Sequence, residues 1–164
     1  MEKEEVEGFE IIDFFEDDYA EYWTEQIQRT DWKAAKYLVT LLNNKTFHKV
    51  LGEDSKLYLM TDGESLISFC TLSQKDDIPD TNLSPWIGFV YTFEEYRGFG
   101  CATRLINFVC DLAKKSGNKN IYISTNTTGL YEKMGFSFIE TKKDVNGEDS
   151  RIYAKKLKKL FGLF

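Results

Sequence analysis

The sequence predicts an α/β (α+β) fold, with a central mixed, mostly antiparallel sheet of about six to seven strands and helices on both faces. Two observations lead to this prediction. Asp-Gly and Asn-Gly turn signals separate pairs of β-rich runs, as in antiparallel hairpins. In addition, an amphipathic helical pattern lies between two other β-rich runs, which indicates one right-handed parallel β–α–β crossover.

The N-terminal part predicts one strand and two helices. Residues 9–15 are rich in β-forming side chains and predict the first strand. Apolar residues recur at helical spacing over 18–29 and again over 33–43. Asp31 has the side chain that favours an N-cap for the second of these helices.

The middle of the chain predicts a hairpin, a loop and a strand. The apolar runs 56–61 and 65–72 flank Asp62-Gly63-Glu64, which predicts a hairpin. Residues 75–85 contain several aspartates and both prolines and predict a loop. Residues 86–92, WIGFVYT, predict the next strand.

The crossover and the C-terminal part follow. A helix is predicted from about residue 100 to 116 because its apolar residues fall on one face and Gly117 ends the pattern. A strand at 120–125 and a short helix at 127–134 come next. The last predicted strands are 136–143 and 150–157, joined by a turn at Asn146-Gly147.

Length and charge limit the function classes. The 164 residues suffice for one domain, 1–164, with a real core. The formal net charge of −6 argues against a nucleic-acid partner, since such proteins usually have a basic surface. An acidic surface fits a cationic partner such as an amine, although solubility explains the charge equally well.

Residue counts argue against metal and triad chemistry. With three cysteines in no paired spacing and one histidine, His48, the usual zinc sites and a Ser–His–Asp triad are not expected. We predict a cytoplasmic protein for three reasons. The cysteines show no paired spacing, the acidic first residues show no signal-peptide pattern, and no apolar run reaches the length of a membrane span. For the basic, apolar end KKLKKLFGLF, a last strand with a frayed tail is favoured over membrane contact.

The segment FVYTFEEYRGFGCATRL, residues 89–105, carries the main functional signal. A strand stops there and a helix starts with little side chain between them. The first turn of a helix has free N–H groups and attracts phosphate, and Gly98 and Gly100 remove the Cβ atoms that would block a close approach. Arg97 adds a positive charge and Thr103 a hydroxyl. We therefore predict that residues 98–103 form a phosphate cradle.

The spacing separates this cradle from two common nucleotide motifs. A dinucleotide-binding turn requires a third glycine where Thr103 stands, and a nucleotide P-loop requires Lys-Ser/Thr where Cys101-Ala102 stands. Arg97-Gly98-Phe99-Gly100-Cys101-Ala102 instead resembles the Arg-X-X-Gly-X-Gly/Ala signature of the GNAT superfamily of acyl-CoA-dependent N-acyltransferases. Glycines that merely allow tight packing remain the alternative.

A second stretch strengthens the resemblance. Residues 126–136, NTTGLYEKMGF, are similar to the second signature of that superfamily, which has an Asn followed by Leu-Tyr-X-X-X-Gly-Phe. The resemblance covers roughly 50–157, whereas residues 1–50 fit only by the order of their elements. One departure from the signature is that the spacing from Asn126 to Tyr131 is shorter than in many members.

The resemblance implies a GNAT-like fold that binds acetyl-CoA where the strand before the cradle splays from the next parallel strand. The pantetheine amides would contact the backbone of 89–91 as an added strand, and an N–H near Val90 or Tyr91 would polarise the acyl carbonyl. The pyrophosphate would lie on the cradle. The implied cofactor contacts are Phe89, Val90, Tyr91, Arg97, Gly98, Phe99, Gly100, Cys101, Ala102, Thr103 and Asn126.

Tyr131 is the catalytic residue that the resemblance implies, as a general acid for the leaving thiolate; a packing residue is the alternative. The general base is not identified. Trp86 and Gly88 stand where some relatives carry a carboxylate, so a water chain or a loop acid, Asp76 or Asp77, remains open. For both loop acids, as for Glu94 and Glu95, the sequence favours a solvated charge.

Three functions are therefore compared. The leading hypothesis is an acetyl-CoA-dependent N-acetyltransferase that acts on a small-molecule or peptide amine, without a metal, by direct attack in a ternary complex. The second is a GNAT-like module that binds or senses acyl-CoA without turnover, against which the retention of Tyr131 argues. The third is an adaptor with packing glycines and no affinity for CoA. The amine is not legible in the sequence, and a homodimer is left open.

Overall fold

The computed structural model of the chain describes residues 8–158. One sheet has the strand order β1-β2-β3-β4-β5-β7-β6. Neighbouring strands are antiparallel except β4 and β5, which run parallel. The predicted mixed sheet with a single parallel crossover is thereby confirmed. Its seven strands are β1 (Glu10–Asp13), β2 (Lys56–Thr61), β3 (Leu66–Ser73), β4 (Trp86–Thr92), β5 (Asn120–Ser124), β6 (Ser137–Lys143) and β7 (Asp149–Lys156).

Helices cover both faces of the sheet, as the sequence predicts. One face packs against α4, and the other packs against α1, α2 and α3. The helices are α1 (Ala20–Gln28), α2 (Lys33–Asn43), α3 (Phe47–Leu51), α4 (Cys101–Lys115) and α5 (Leu130–Lys133), with 3-10 turns at Phe14–Glu16 and Glu94–Tyr96.

The core under α4 positions the candidate site. The buried side of α4 includes Leu105, Ile106 and Val109, each 0 % exposed, and packs on Ile87 of β4 and Ile123 of β5. Full burial of one such aliphatic side chain contributes about 1.5–3 kcal/mol to the free energy of unfolding. This packing holds the first turn of α4 against the end of β4.

Two predicted elements are shorter in the structure for local reasons, and one short helix was not predicted. The first strand ends at Asp13 instead of 15, because the Asp13 carboxylate accepts the Phe15 N–H at 2.9 Å and starts a 3-10 turn. The predicted helix 127–134 is only Leu130–Lys133, because Gly129 has a φ of 94° and its N–H donates to the Glu132 carboxylate at 2.7 Å. The helix α3 was not predicted, since its few residues show no helical periodicity.

The predicted N-cap at Asp31 is wrong. The residue at the N-cap position of α2 is Trp32, whose side chain makes no capping hydrogen bond. Instead, its ring stacks on Tyr91 of β4 with the ring centroids 5.5 Å apart. The start of α2 is therefore tied to the sheet by aromatic packing.

Two predictions concern the ends of the chain. No helix within residues 8–158 is long and apolar enough to cross a membrane. The acidic residues 1–7 and residues 159–164 of the basic end lie outside the described residues.

The three cysteines are all free and buried.

Candidate active site

The parallel strands β4 and β5 form a fork. Among the described residues they pair only at Trp86 with Tyr122 and Ile87 with Ile123. Beyond these pairs β4 continues to Thr92 alongside β3, and β5 ends at Ser124 alongside β7. Each of the two strands, or prongs of the fork, thus stays paired with its outer neighbour, while its inner edge faces the gap between β4 and β5. A backbone edge of this kind can pair with an extended, amide-bearing ligand.

A β-bulge in β4 lies directly beyond the last pair of the fork. The register between β3 and β4 shifts between Phe69 and Thr71, and Phe89 has a φ of 50°. A bulky residue in the left-handed region is an outlier that the surrounding structure must hold in place. Such a bulge re-aims backbone groups that would otherwise join the ladder. The predicted contacts Phe89, Val90 and Tyr91 therefore lie on the prong of β4 that faces the gap.

The predicted phosphate cradle opens α4. The helical hydrogen bonds begin with Arg104 N–H to Gly100 carbonyl at 3.0 Å, so the N–H groups of the three preceding residues come before the ladder starts. Gly98 and Gly100 have φ values of 88° and 78°, and a Cβ on either would meet no atom of the described residues 8–158 within 4 Å. Glycines required for close packing would have neighbours there. These glycines instead shape a turn below open space.

A groove of about 320 Å³ runs along this turn. Its lining starts at Thr92, the end of β4, follows the cradle and reaches Leu130, the residue before Tyr131. Of the predicted cofactor contacts, those that line the groove are Arg97, Gly98, Gly100, Cys101, Ala102 and Thr103. The groove thus joins the cradle to the helix that carries the predicted acid.

Arg97 and Phe99 flank the cradle. The Arg97 Nε donates to the Thr92 carbonyl at 2.8 Å, and its guanidinium carbon lies 5.4 Å from the Tyr91 ring centroid. These contacts hold the positive charge beside the groove. Phe99 does not line the groove, and its side chain is 46 % exposed. Glu94 and Glu95 are exposed, as the sequence predicts for solvated acids.

Tyr131 lies under the fork. Its side chain is 5 % exposed and belongs to the buried cluster that contains Ile87, Ile123 and Cys70. Burial, with a smaller effect from Cys70, raises the pKa of its phenol to about 12. Within residues 8–158 no hydrogen bond engages its hydroxyl. The phenol is therefore protonated at neutral pH and available as a donor.

The side chain of Asn126 makes two hydrogen bonds to the backbone at the start of β7. Its amide oxygen accepts the Arg151 N–H at 3.1 Å and its amide nitrogen donates to the Asp149 carbonyl at 3.2 Å. Both ends of the side chain thus hold the start of β7 against the loop after β5. A cofactor contact of Asn126 stays a prediction.

The loop acids Asp76 and Asp77 are not solvated, and this expectation from the sequence is wrong. Oδ1 of each is buried without a hydrogen-bond partner within residues 8–158. Burial and the neighbouring Asp77 carboxylate raise the pKa of Asp76 well above its ordinary value. Burial likewise raises the pKa of Asp77. The sequence identifies both as possible bases but does not predict their burial, because nothing in the composition of the loop indicates it.

The described residues give no support to a metal centre or to histidine chemistry. No group of three His, Cys, Asp or Glu side chains in residues 8–158 is arranged to hold a metal ion. His48 packs between aromatic rings, with its ring centroid 4.5 Å from Phe15 and 5.1 Å from Phe47. The groups that the described residues offer at the site are backbone N–H groups, the Tyr131 phenol and carboxyl groups.

The model of the Acetyltransferase (GNAT) family matches residues 10–136. No curated protein matches the sequence. Solved structures share the fold, among them a protein of the GNAT family from Desulfovibrio desulfuricans, with a TM-score of 0.69, 14 % identity and coverage of 91 % of this chain and 99 % of that chain.

Two further structures are similar over nearly their whole length. An acetyltransferase from Streptococcus agalactiae has a TM-score of 0.64 at 21 % identity, with 92 % of this chain and 99 % of that chain covered. An aminoglycoside 6'-N-acetyltransferase complexed with coenzyme A has a TM-score of 0.64 at 14 % identity, with 90 % and 97 % covered. At these identities the likeness is one of fold.

Proposed function

Because the chain belongs to the GNAT acetyltransferase family, we propose that it is an acetyl-CoA-dependent N-acetyltransferase that acts on a primary amine by direct attack in a ternary complex. The observation that carries this proposal is the fork between β4 and β5, which opens onto the glycine cradle of α4. One side of that junction offers the inner backbone edge of β4, and the other offers the first turn of α4, whose helical hydrogen bonds begin only at Arg104.

Each part of the site suits one part of acetyl-CoA. The N–H groups of 101–103 and the positive end of the α4 dipole suit the pyrophosphate, with Arg97 beside it. The inner edge of β4 suits the amides of the pantetheine arm. The bulge at Phe89 leaves the N–H of Val90 or Tyr91 to polarise the acyl carbonyl.

The transfer exchanges one acyl bond for another. The amine nitrogen bonds to the thioester carbonyl carbon and the carbon–sulfur bond breaks. An ammonium acceptor gives up two protons in the whole process, while the departing thiolate takes one. We assign the donation to Tyr131, whose phenol is buried in the cluster under the fork.

The alternatives make different demands on the same geometry. A module that only binds acyl-CoA requires the cradle and the fork but no buried phenol. An adaptor with packing glycines requires neighbours around Gly98 and Gly100, and the open space above both argues against it. The transferase is the function that uses all three features.

Two measurements on the purified protein test the proposal. Titration with acetyl-CoA should show saturable binding, and its absence would favour an adaptor. A panel of diamines, basic amino acids and peptides with a free N-terminus should then release CoA thiol with at least one acceptor, and mass spectrometry should find the acetylated amine. Binding without thiol release from any amine would favour the non-catalytic module.

A further inference from the structure

Asp76 occupies the space that a side chain at position 88 would fill. A Cβ built on Gly88 would overlap Asp76 Oδ1 and would lie 3.1 Å from its Cγ. Gly88 is the residue of β4 directly after the last pair of the fork. The loop between β3 and β4 thus delivers a carboxyl group to the apex of the fork, where the strand itself carries no side chain.

Asp77 reaches the other prong. The side chains of Ser124 and Asp76 lie beside its carboxyl group and lower its pKa, against the larger effect of burial. Ser124 is the residue of β5 directly after its last pair with β4. The two neighbouring aspartates therefore bridge the apex, one over each strand.

A third side chain points to the same spot. Thr71 of β3 is 0 % exposed, and its Oγ1 lies 3.0 Å from the position of a Cβ on Gly88. Thr71 Oγ1 and Asp76 Oδ1 are both buried, and neither has a hydrogen-bond partner within residues 8–158. Buried polar atoms are normally paired, because an unpaired one costs about 1–3 kcal/mol. Two unpaired oxygens that converge at the apex indicate a place for a ligand's N–H groups.

The geometry points to Asp76 as the general base of the proposed acetyl transfer, with Asp77 beside it and Thr71 Oγ1 as a second acceptor for the N–H groups of the amine. The inference rests on the proposed function. The ammonium group of the acceptor gives one proton to the Asp76 carboxylate, directly or through one water, and its nitrogen pair then forms the bond to the acyl carbon.

The electrostatic setting suits a proton acceptor. Burial raises the pKa of Asp76, and the charge of Asp77 raises it further. The groups around the pair are Thr71 of β3, Ser124 of β5 and Asp144 of the β6–β7 turn, and Asp144 also raises the pKa of Asp77. A carboxyl group with a raised pKa binds a proton more strongly than an exposed aspartate does. A nearby cation, such as the ammonium group of the acceptor, stabilises its ionised form.

The acid and the base lie on opposite faces of the sheet. Successive residues of a strand point to opposite faces, and the neighbours Cys70 and Thr71 contact the two groups separately. Cys70 belongs to the buried cluster of Tyr131, whereas Thr71 faces the space over Gly88 that Asp76 fills. A thioester in the fork would therefore meet the amine and Asp76 from one face and Tyr131 from the other.

Asp76→Asn is the main test, measured as kcat/KM against pH with an amine that the wild-type protein acetylates. The variant keeps the shape of the side chain and removes the proton acceptor, so kcat/KM should fall about 100- to 10,000-fold and the acid limb of the profile should disappear. Acetyl-CoA affinity should not change. The loss should shrink for amines that are already neutral at the assay pH.

Two variants complete the comparison. Gly88→Ala keeps the aspartate but pushes its carboxyl group aside, so it should also lower kcat/KM. Asp80→Asn removes the same charge from an exposed site of the same loop, where Asn tolerates the φ of 56°, and should behave as wild type. If Asp76→Asn keeps the kcat/KM of the wild type and the acid limb of its pH profile, the inference is wrong but the proposed function stands. A wild-type protein that acetylates no amine would overturn the proposed function and the base with it.

A readout independent of turnover follows from the raised pKa. Above pH 4 an unfolded Asp76 ionises freely, whereas the folded protein resists its ionisation, so the wild type loses stability as the pH rises toward the folded pKa. Asn carries no such penalty. The melting temperature of Asp76→Asn should therefore rise relative to wild type as the pH increases above about 4. An equal pH dependence of both proteins would mean an ordinary solvated aspartate and would contradict the inference.

Discussion

Tyr131 shows how burial sets the role of a single side chain. Its pKa of about 12 means that the phenol holds its proton more strongly than in water. A thiol in water has a pKa of about 8.5, so transfer of the phenol proton to a thiolate in water would be unfavourable. The same desolvation acts on a thiolate beside it, as the raised pKa of the Cys70 thiol in this cluster illustrates. A thiolate expelled into this cluster would therefore take up a proton more readily than in water.

Tyr131→Phe should lower kcat by about 100- to 10,000-fold, or about 3–5 kcal/mol of barrier, and leave acetyl-CoA affinity nearly unchanged. The substitution removes only the hydroxyl and keeps the ring against Phe136, with the ring centroids 5.9 Å apart. Because the pKa is about 12, the wild-type kcat should show no alkaline fall from this group between pH 7 and pH 10. The measurement is pre-steady-state turnover, and an unchanged rate would leave Tyr131 a packing residue.

At the scale of the element, α4 joins two functions through its first turn. Its inward side chains, including Cys101 of the first turn, pack on the sheet, and residues of the same turn line the groove. Thr103, which lines the groove and is only half-buried, can therefore be changed with less disturbance of the core than Cys101. Gly98 and Gly100 are unsuitable for this test, because a side chain at either positive φ strains the backbone whatever happens to the ligand.

Thr103→Glu should weaken acetyl-CoA binding about 10- to 1,000-fold, because a carboxylate in the groove repels the pyrophosphate by about 1–4 kcal/mol. The same change should keep or raise stability, since an acid in the first helical turn contributes about 0.3–1 kcal/mol. Calorimetric titration and thermal unfolding measure the two effects. Asn107→Glu adds the same charge to an exposed position of α4 and should leave the affinity intact. Equal affinities of both variants would move the phosphate site away from α4.

At the scale of the whole molecule, the fork exists because each prong is held from outside. β3 stays paired with β4 as far as Thr92, and β7 stays paired with β5 as far as Ser124. The prongs therefore do not collapse on each other when they diverge. A ligand in the gap adds contacts to both halves of the sheet and should stabilise the protein as a unit.

Acetyl-CoA should raise the melting temperature by about 5–10 °C at a concentration 100 times its Kd. At that concentration binding raises the free energy of unfolding by about 2.7 kcal/mol, and each kcal/mol raises the melting temperature of a chain of this size by about 2–4 °C. Differential scanning calorimetry measures the shift, and Thr103→Glu at the same concentration is the matched control. No shift for the wild type at any concentration would contradict binding in the fork.

The local parts of the site can be predicted from the sequence alone. The glycine turn, the start of α4 and the placement of Tyr131 on a short helix all depend on residues that are close together in the chain. Turn chemistry and helix periodicity act over the same short range, so residue order is enough to identify them. For the same reason the strand and helix order was predicted with errors mainly at boundaries and at the short α3.

The meeting of Asp76, Gly88, Thr71 and Ser124 was decided only by the tertiary structure. These residues come from a loop and from three strands, and sheet register and the divergence of β4 from β5 bring them together. In the sequence Asp76 is one acid of a loop rich in aspartates, which predicts exposure. Its burial and raised pKa are properties of the packed neighbourhood, because desolvation depends on atoms that surround the group in space and not on those beside it in the chain.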